Sequence, residues 1–457
     1  MGLVPPNDSV PQAALTRCLG ELPNYVVLRN EEDLFANLQR GGDVDLLVGD
    51  LGLAERTLIR HLGVPVRIIK SSYVSGYSYD WGHVDLLPTI EWRGACYLRT
   101  EAVLENRRLS PRERPVPRIA HEALVSWLTN ILFGGFFKER YAAEIRQAVE
   151  VDGSAFRQAL IEAVGKKLGL RLWQAAVDGH AEISARWTWS LRLAVWWRAW
   201  LRSPVRTIQR SVAFVIGELR LRFQPRVPWI AILGQDRSRK SSLAAEMVHR
   251  FGACPYGNVK ALHWRSDLIA RPQGVEPVTD PHERPGRPPV SSAWRILALA
   301  VDWLVCYWTR WVHLRAKGYV LLFDLTYFDA VPDHTRAADQ AAPWLGRALS
   351  RVLPKPDLVF VLDSDSDSRW HREQDVPSSR LVRPRHADGS TAGEPPARHV
   401  LDGSLPLSAI SDDIQRVVRA WMLNRSAASL GAPAPVVTTP TARSVGPSGA
   451  ATFGERR

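Results

Sequence analysis

The sequence predicts an α/β chain: two zones in which strands and helices alternate, joined by a helical stretch. Three observations carry this. Short apolar runs separated by helical patterns recur before about residue 105 and again from about 226 to 425. From about 106 to 225 that alternation gives way to helical periodicity dense in tryptophan and arginine. The third is size, because 457 residues exceed what one hydrophobic core accommodates and several domains are required. A composition of 46% apolar and 23% charged residues excludes a wholly disordered, collagen-like or coiled-coil chain.

In the first zone, residues 1–105, the strand candidates are YVVLR from Tyr25, VDLLV (44–48), PVRIIK (65–70) and HVDLLP (83–88). The run GGDVDLLVGD (41–50) sets Asp43 and Asp45 two apart, and residues i and i+2 of a strand share a face. HVDLLP offers Asp85 between apolar neighbours. Three carboxylates on adjacent strands supply the hard oxygen ligands that Mg2+ takes in nucleotidyl transfer. The alternative is a hairpin turning at Gly41-Gly42, with its aspartates at the solvent edge. A D-x-D strand followed by a later acidic strand resembles the nucleotidyltransferase fold, which implies a metal site at Asp43, Asp45 and Asp85. That family carries a Gly-Ser turn ahead of the D-x-D. Here the place is taken by Leu28-Arg29-Asn30, a departure in the element that binds phosphates. The segment IEWRGACYLRTEAVL (90–104) is similar to sequence that follows this domain in long kinase-like proteins, and 118–180 reads as its helical companion.

The helical stretch closes on 184–223, where Trp187, Trp189, Trp196, Trp197 and Trp200 are interleaved with arginine. One reading is a connector that packs its tryptophan face against the flanking domains. A basic amphipathic helix of this kind also lies readily on an anionic membrane surface. Stacking on single-stranded nucleic acid is the least favoured reading, since no RNA or DNA module is recognisable.

In the second α/β zone, 226–425, strands are expected at 228–233, 259–264, 319–323, 357–362 and 398–402, and helices at 241–251, 292–316, 335–352 and 407–424. Five apolar strands with crossovers predict a parallel sheet covered on both faces. The run AWRILALAVDWLVCYW (293–308) is too short to span a membrane and reads as a buried helix. Its Asp302, costly to bury alone, is expected to face an acceptor pocket or an arginine.

The strongest local signal is WIAILGQDRSRKSSLAAEM (229–247): a strand, Gly234, five intervening residues, Lys240, Ser241, Ser242 and a helix. That is the spacing of a phosphate-binding P-loop. Its amides and the helix N-terminus cradle phosphate oxygens, the lysine reaches the outer phosphates and the first hydroxyl ligates Mg2+. Gly234, Asp236, Ser238, Arg239, Lys240, Ser241 and Ser242 are therefore the candidate nucleotide-binding residues. Arg237 and Arg239 stand where such loops favour glycine, which tolerates positive φ and close backbone approach.

From 226 to 425 the chain resembles the thymidylate kinase-like P-loop kinases, in the long form encoded among bacterial polysaccharide-biosynthesis genes. The resemblance rests on GQDRSRKSS (234–242), HWR (263–265), TDPHERPGRPP (279–289), SAWRILALAVDW (292–303), VLLFDLTYFD (320–329), PDLVFVLDSDSDSRWHR (356–372) and HVLDGSLPL (399–407). It implies a five-stranded parallel sheet, ATP with Mg2+, and γ-phosphoryl transfer to a nucleotide-like acceptor. It also implies Asp324 beside acceptor and metal, and Arg369 and Arg372 as lid arginines that neutralise the transferring phosphoryl. Arg265, Asp280 and His282 are acceptor-side candidates by position, together with Asp302. Leu325 stands where the family has arginine, so thymidine monophosphate does not follow as the acceptor.

The net charge is +12, yet only eight of the 59 basic residues are lysine, and the arginine excess suits anionic partners. Four scattered cysteines without a C-x-x-C pair, and no basic-then-apolar leader, fit a cytoplasmic protein, for which 184–223 leaves open a peripheral contact at the inner membrane face. The Ala/Pro/Ser-rich 426–457 reads as a disordered tail. The expected function is an ATP-dependent phosphotransferase with a degenerate P-loop. A catalytically dead nucleotide-binding or scaffold protein, and a Mg2+-dependent nucleotidyltransferase acting through the first zone, stay open; so does a homodimer.

Overall fold

The computed structural model describes residues 11–29, 31, 33–40, 42–233, 237–252, 254, 258–263, 289–325, 349, 352–363, 397–403 and 405–432. Its first part runs α1 (Gln12–Glu21), β1 (Tyr25–Val27), α2 (Leu34–Gln39), β2 (Asp43–Val48), α3 (Leu51–Leu62), β3 (Arg67–Lys70), β4 (Ser75–Tyr79) and β5 (Gly82–Leu87). A hairpin follows, β6 (Ile90–Trp92) and β7 (Ala95–Leu98), then α4 (Thr100–Glu105) and a short ladder of β8 (Arg108–Leu109) with β9 (Pro115–Val116). The main sheet has the order β1-β2-β5-β4-β3. Strands β2 and β5 run parallel, and the other neighbours are antiparallel. A hairpin at Gly41-Gly42 is thereby excluded, since β2 is entered from α2 and lies between β1 and β5. Local chemistry sets the boundaries. Asp50 caps α3 by accepting from the Leu53 amide at 2.9 Å, and Arg93 and Gly94, at φ 49° and 90°, close the β6–β7 turn.

The helical stretch comprises α5 (Ile119–Thr129), a π-helical turn (Asn130–Gly134), α6 (Ala142–Val164), α7 (Lys166–Val177), α8 (Thr188–Arg202) and α9 (Pro204–Phe223). Alternation along β2 explains how it packs. Val44, Leu46 and Val48 face a core with Leu15 and Leu58, whereas Leu47 joins Leu124, Trp127, Ile145 and Val195 on the other side. The first sheet is therefore sandwiched, α1 and α3 on one face and α5, α6 and α8 on the other. On α8 the inward ridge is Leu191, Val195 and Ala199, while Trp189 and Trp197 are exposed. The tryptophan face of the sequence reading is met in part: Trp187 and Trp196, half-buried, pack against the core of the first sheet beside this ridge.

The last part runs β10 (Trp229–Leu233), α10 (Arg237–Gly252), β11 (Asn258–His263), α11 (Pro289–Cys306), α12 (Val312–Ala316), β12 (Tyr319–Leu325), β13 (Leu358–Asp363), β14 (Ala397–Asp402) and α13 (Leu407–Leu430). Its five strands are all parallel in the order β11-β12-β10-β13-β14. Ile230, Ile232, Leu322 and Phe360 pack under α10 and α13 with Leu243, Met247 and Ile414. On the opposite face Trp229 and Phe323 meet Trp303 and Trp311, the ring centroids of Trp311 and Phe323 being 4.8 Å apart.

Two boundaries and one burial pattern differ from the sequence reading. Helix α10 starts at Arg237 instead of 241, since 237–240 offer helix-forming arginine and lysine and no glycine to hold a loop. Helix α11 is only half buried: Ala300, Asp302 and Trp303 face inward, while Trp294, Val301 and Val305 are exposed. Helix α13 runs to Leu430, where Gly431 at φ 65° ends it, so residues 426–430 are helix and not tail. The helix expected over 335–352 lies almost wholly outside the described residues.

Candidate functional sites on the two sheets

The first site is built by register. Asp45 and Asp85 are direct partners in the parallel β2–β5 pair, and Asp43 lies opposite His83. The three carboxylates Asp43, Asp45 and Asp85 converge, each offering an oxygen within 4.8 Å of the others. Across the antiparallel β4–β5 pair Asp85 faces Gly76. A Cβ there would sit 2.7 Å from Asp85 Oδ1, so the absence of a side chain makes room for the carboxylate.

Two basic side chains, Arg29 and His83, attend this cluster. Arg29 follows β1, whose continuation brings the Leu28 amide to the Asp45 carbonyl at 2.9 Å. Its Nε donates to Asp45 Oδ2 at 2.8 Å, and Nη2 donates to the same oxygen. His83 Nε2 lies 3.0 Å from Asp85 Oδ1, and the other ring nitrogen lies 2.8 Å from Ser78 Oγ. Arg67 Nε donates to that same Ser78 oxygen at 3.3 Å. Asp45 is only 4% exposed. Burial pushes its carboxyl up to about 6, Arg29 pulls the other way, and Asp43 and Asp85 add to the rise. Burial weighs against the charge of Arg29, but Asp45 more than restores it.

The donor set suits a hard divalent cation: three carboxylates of graded exposure, with Asp43 open to solvent and Asp45 Oδ1 outside the Arg29 contacts. Sequence reasoning missed Arg29, His83, Ser78 and Gly76 as parts of this site. The signal for His83 was present, since it stands two residues before Asp85 on the same strand face.

The second site is topological. Strand β10 lies at the centre of the parallel sheet between β12 and β13, and α10 begins four residues after its end. This is where successive crossovers leave in opposite directions, and open parallel sheets bind ligands at the carboxyl ends of such strands. Lys240 is half-buried in the first turn of α10, and Ser241 and Ser242 follow it on the helix, exposed. Arg239 Nη2 donates to the Leu405 carbonyl at 3.1 Å, in the β14–α13 connection. Asp324 is the penultimate residue of β12, the neighbour of β10. Asp302 is buried on the inner side of α11. Buried Arg315 donates from Nη2 to Asp357 Oδ2 at 2.6 Å and to the Val227 carbonyl at 3.2 Å. Ser238 is placed only as part of the α10 backbone. Gly234, Asp236, Arg265, Asp280, His282, Arg369 and Arg372 lie outside the described residues. The chain matches no family model and no curated protein.

Proposed function

We propose that the chain is an ATP- and Mg2+-dependent phosphotransferase whose donor phosphates sit at the carboxyl end of β10. The observation that carries this reading is that the strand leading into Lys240 is the central one of an all-parallel sheet. A helix N-terminus at the topological switch point presents amides and a positive dipole end to an anion. The ammonium of Lys240 would hold the outer phosphates, the Ser241 hydroxyl would ligate the metal, and Asp324 stands on the adjacent strand for metal or acceptor. Magnesium, when bound, would offset phosphate charge there. The arginine-for-glycine changes fit a loop shortened by an early helix start, with Arg239 drawn to Leu405.

The test is ligand-linked stability. A ligand that binds only the folded state at 100 times its dissociation constant stabilises by about 2.7 kcal/mol. Mg-ATP is expected to raise the melting temperature of the wild-type chain by several degrees and to leave Lys240→Ala unmoved. No shift in wild type across a panel of nucleoside triphosphates refutes the reading.

A second reading has its own observation. The convergence of Asp43, Asp45 and Asp85 favours divalent-cation binding on the first sheet, as in nucleotidyl transfer. Asp43 and Asp85 would hold the ion with the free oxygen of Asp45, and Arg29 would fix the other.

A further inference from the structure

We propose that the outward faces of α8, α9 and α11 form a docking surface for an anionic lipid bilayer. Helix α9 exposes Val205, Ile208, Val212, Ile216, Leu219 and Phe223. At 3.6 residues per turn these fall within a sector of roughly 100°. The opposite side of α9 is spent on the first part of the molecule. Thr207 is buried, Arg210 Nη1 donates to Thr89 Oγ1 at 3.1 Å, Ser211 Oγ donates to the Arg93 carbonyl at 3.3 Å, and Phe214 lies beside Tyr73. The helix is thus docked largely through polar groups and presents its apolar stripe outward, the reverse of an ordinary surface helix.

The stripe continues toward α11, and α8, packed against α9, also exposes apolar side chains. On α8, Trp189 is 79% exposed and Trp197 is also open. The Phe223 ring at the end of α9 meets Trp308 edge-on at 5.9 Å, just past α11, whose Trp294 is 72% exposed. Isolated exposed apolar residues need no explanation, but a set clustered on three packed helices marks an interaction site.

Charge selects the occupant. Helices α8 and α9 together hold seven arginines and a single acidic residue, Glu218; Arg192, Arg202 and Arg210 are spent on inward hydrogen bonds, while Arg206 and Arg220 of α9 are exposed and Arg222 is half-buried. On α9, Arg220 and Arg222 fall on the two flanks of the apolar sector. A second copy seated on this face would bring the same positive rim against itself. An anionic bilayer complements both parts: aliphatic side chains enter the acyl boundary, arginines meet lipid phosphates and tryptophans suit the headgroup level. No helix among the described residues is long and apolar enough to cross a membrane, and the contact proposed lies in the interface plane.

Cosedimentation of the full chain tests this, using vesicles of phosphatidylcholine and phosphatidylglycerol in equal parts against vesicles of phosphatidylcholine alone. Wild type is expected to bind the mixed vesicles at least about tenfold more tightly, with binding weakened by salt. The double variant Val212→Glu/Ile216→Glu is expected to lose binding by a similar factor. Both positions are exposed, and near-UV circular dichroism verifies the fold. Trp189→Ser/Trp197→Ser provides an independent pair on α8. Absent or lipid-indifferent binding by wild type overturns the proposal, as does binding untouched by both double variants. Sedimentation velocity showing a dimer that the same substitutions dissociate assigns the face to a second copy and overturns it as well.

Discussion

At Asp45, burial and a guanidinium pull in opposite directions, and Arg29 sets the balance of charge in the carboxylate cluster. Replacing that fixed countercharge with a neutral side chain leaves the carboxylates in need of another cation. For Arg29→Gln the expected outcome is Mn2+ binding stronger by about tenfold, read by electron paramagnetic resonance of the free ion during titration. Asp43→Asn and Asp85→Asn are expected to weaken it. Equal Mn2+ affinity in wild type and Arg29→Gln would mean that the guanidinium does not compete for the site. The carboxylates were legible in the sequence because i and i+2 placement on a strand needs only local geometry. Arg29 was not, since its partnership depends on β1 pairing antiparallel with β2, a tertiary fact. The early end of the loop before Lys240 had a local sign in Arg237 and Arg239, but where Arg239 turns is fixed by Leu405, distant in sequence.

Elements dock through a few polar anchors, and the β6–β7 hairpin shows how such an anchor titrates. Glu91 on β6 is buried and faces Arg210 of α9 across 3.4 Å. Burial pushes its carboxyl up to about 7, with Arg210 pulling it down. A carboxyl raised above its unfolded value contributes stability that is complete below the unfolded pKa and lost as pH rises through the folded one. Melting temperature is therefore expected to fall between about pH 5 and pH 8, and Glu91→Gln to flatten that slope and melt higher than wild type at the upper end. A parallel decline in wild type and variant would assign the pH dependence elsewhere. The five strands of the parallel sheet were legible because apolar runs of that length leave little choice. Strand β4 was not, because SGYSY carries no apolar run; Gly76 is there to make room for Asp85, and Tyr77 and Tyr79 bury their rings. The half-exposure of α11 was also hidden, since an apolar sequence does not say which of its faces is covered.

The two sheets are joined by α13 and by a polar chain. Arg419 of α13 donates to both oxygens of Asp80 at 2.9 and 3.1 Å through Nε, and again through Nη2 at 2.5 Å. Ser426 Oγ donates to the Val66 carbonyl at 3.0 Å, and Leu430 packs on the core of the first sheet. The polar chain runs from Asp85 through His83, Ser78 and Arg67, whose Nη1 donates to the Gly318 carbonyl at 3.2 Å, ahead of β12. Arg419→Ala is expected to cost about 1 kcal/mol, the bidentate geometry offsetting partial exposure. Denaturant unfolding checks it: the midpoint is expected to drop with the slope unchanged, whereas a lowered slope would indicate that the parts no longer unfold together.

The clasp of α13 on Val66 and Asp80 has a bearing on biogenesis. A chain leaving the ribosome makes Asp80 hundreds of residues before Arg419, so the first sheet emerges without its clamp. Until α13 has been made, the first sheet lacks that closure, and termination anywhere between Asp80 and α13 yields a product without it.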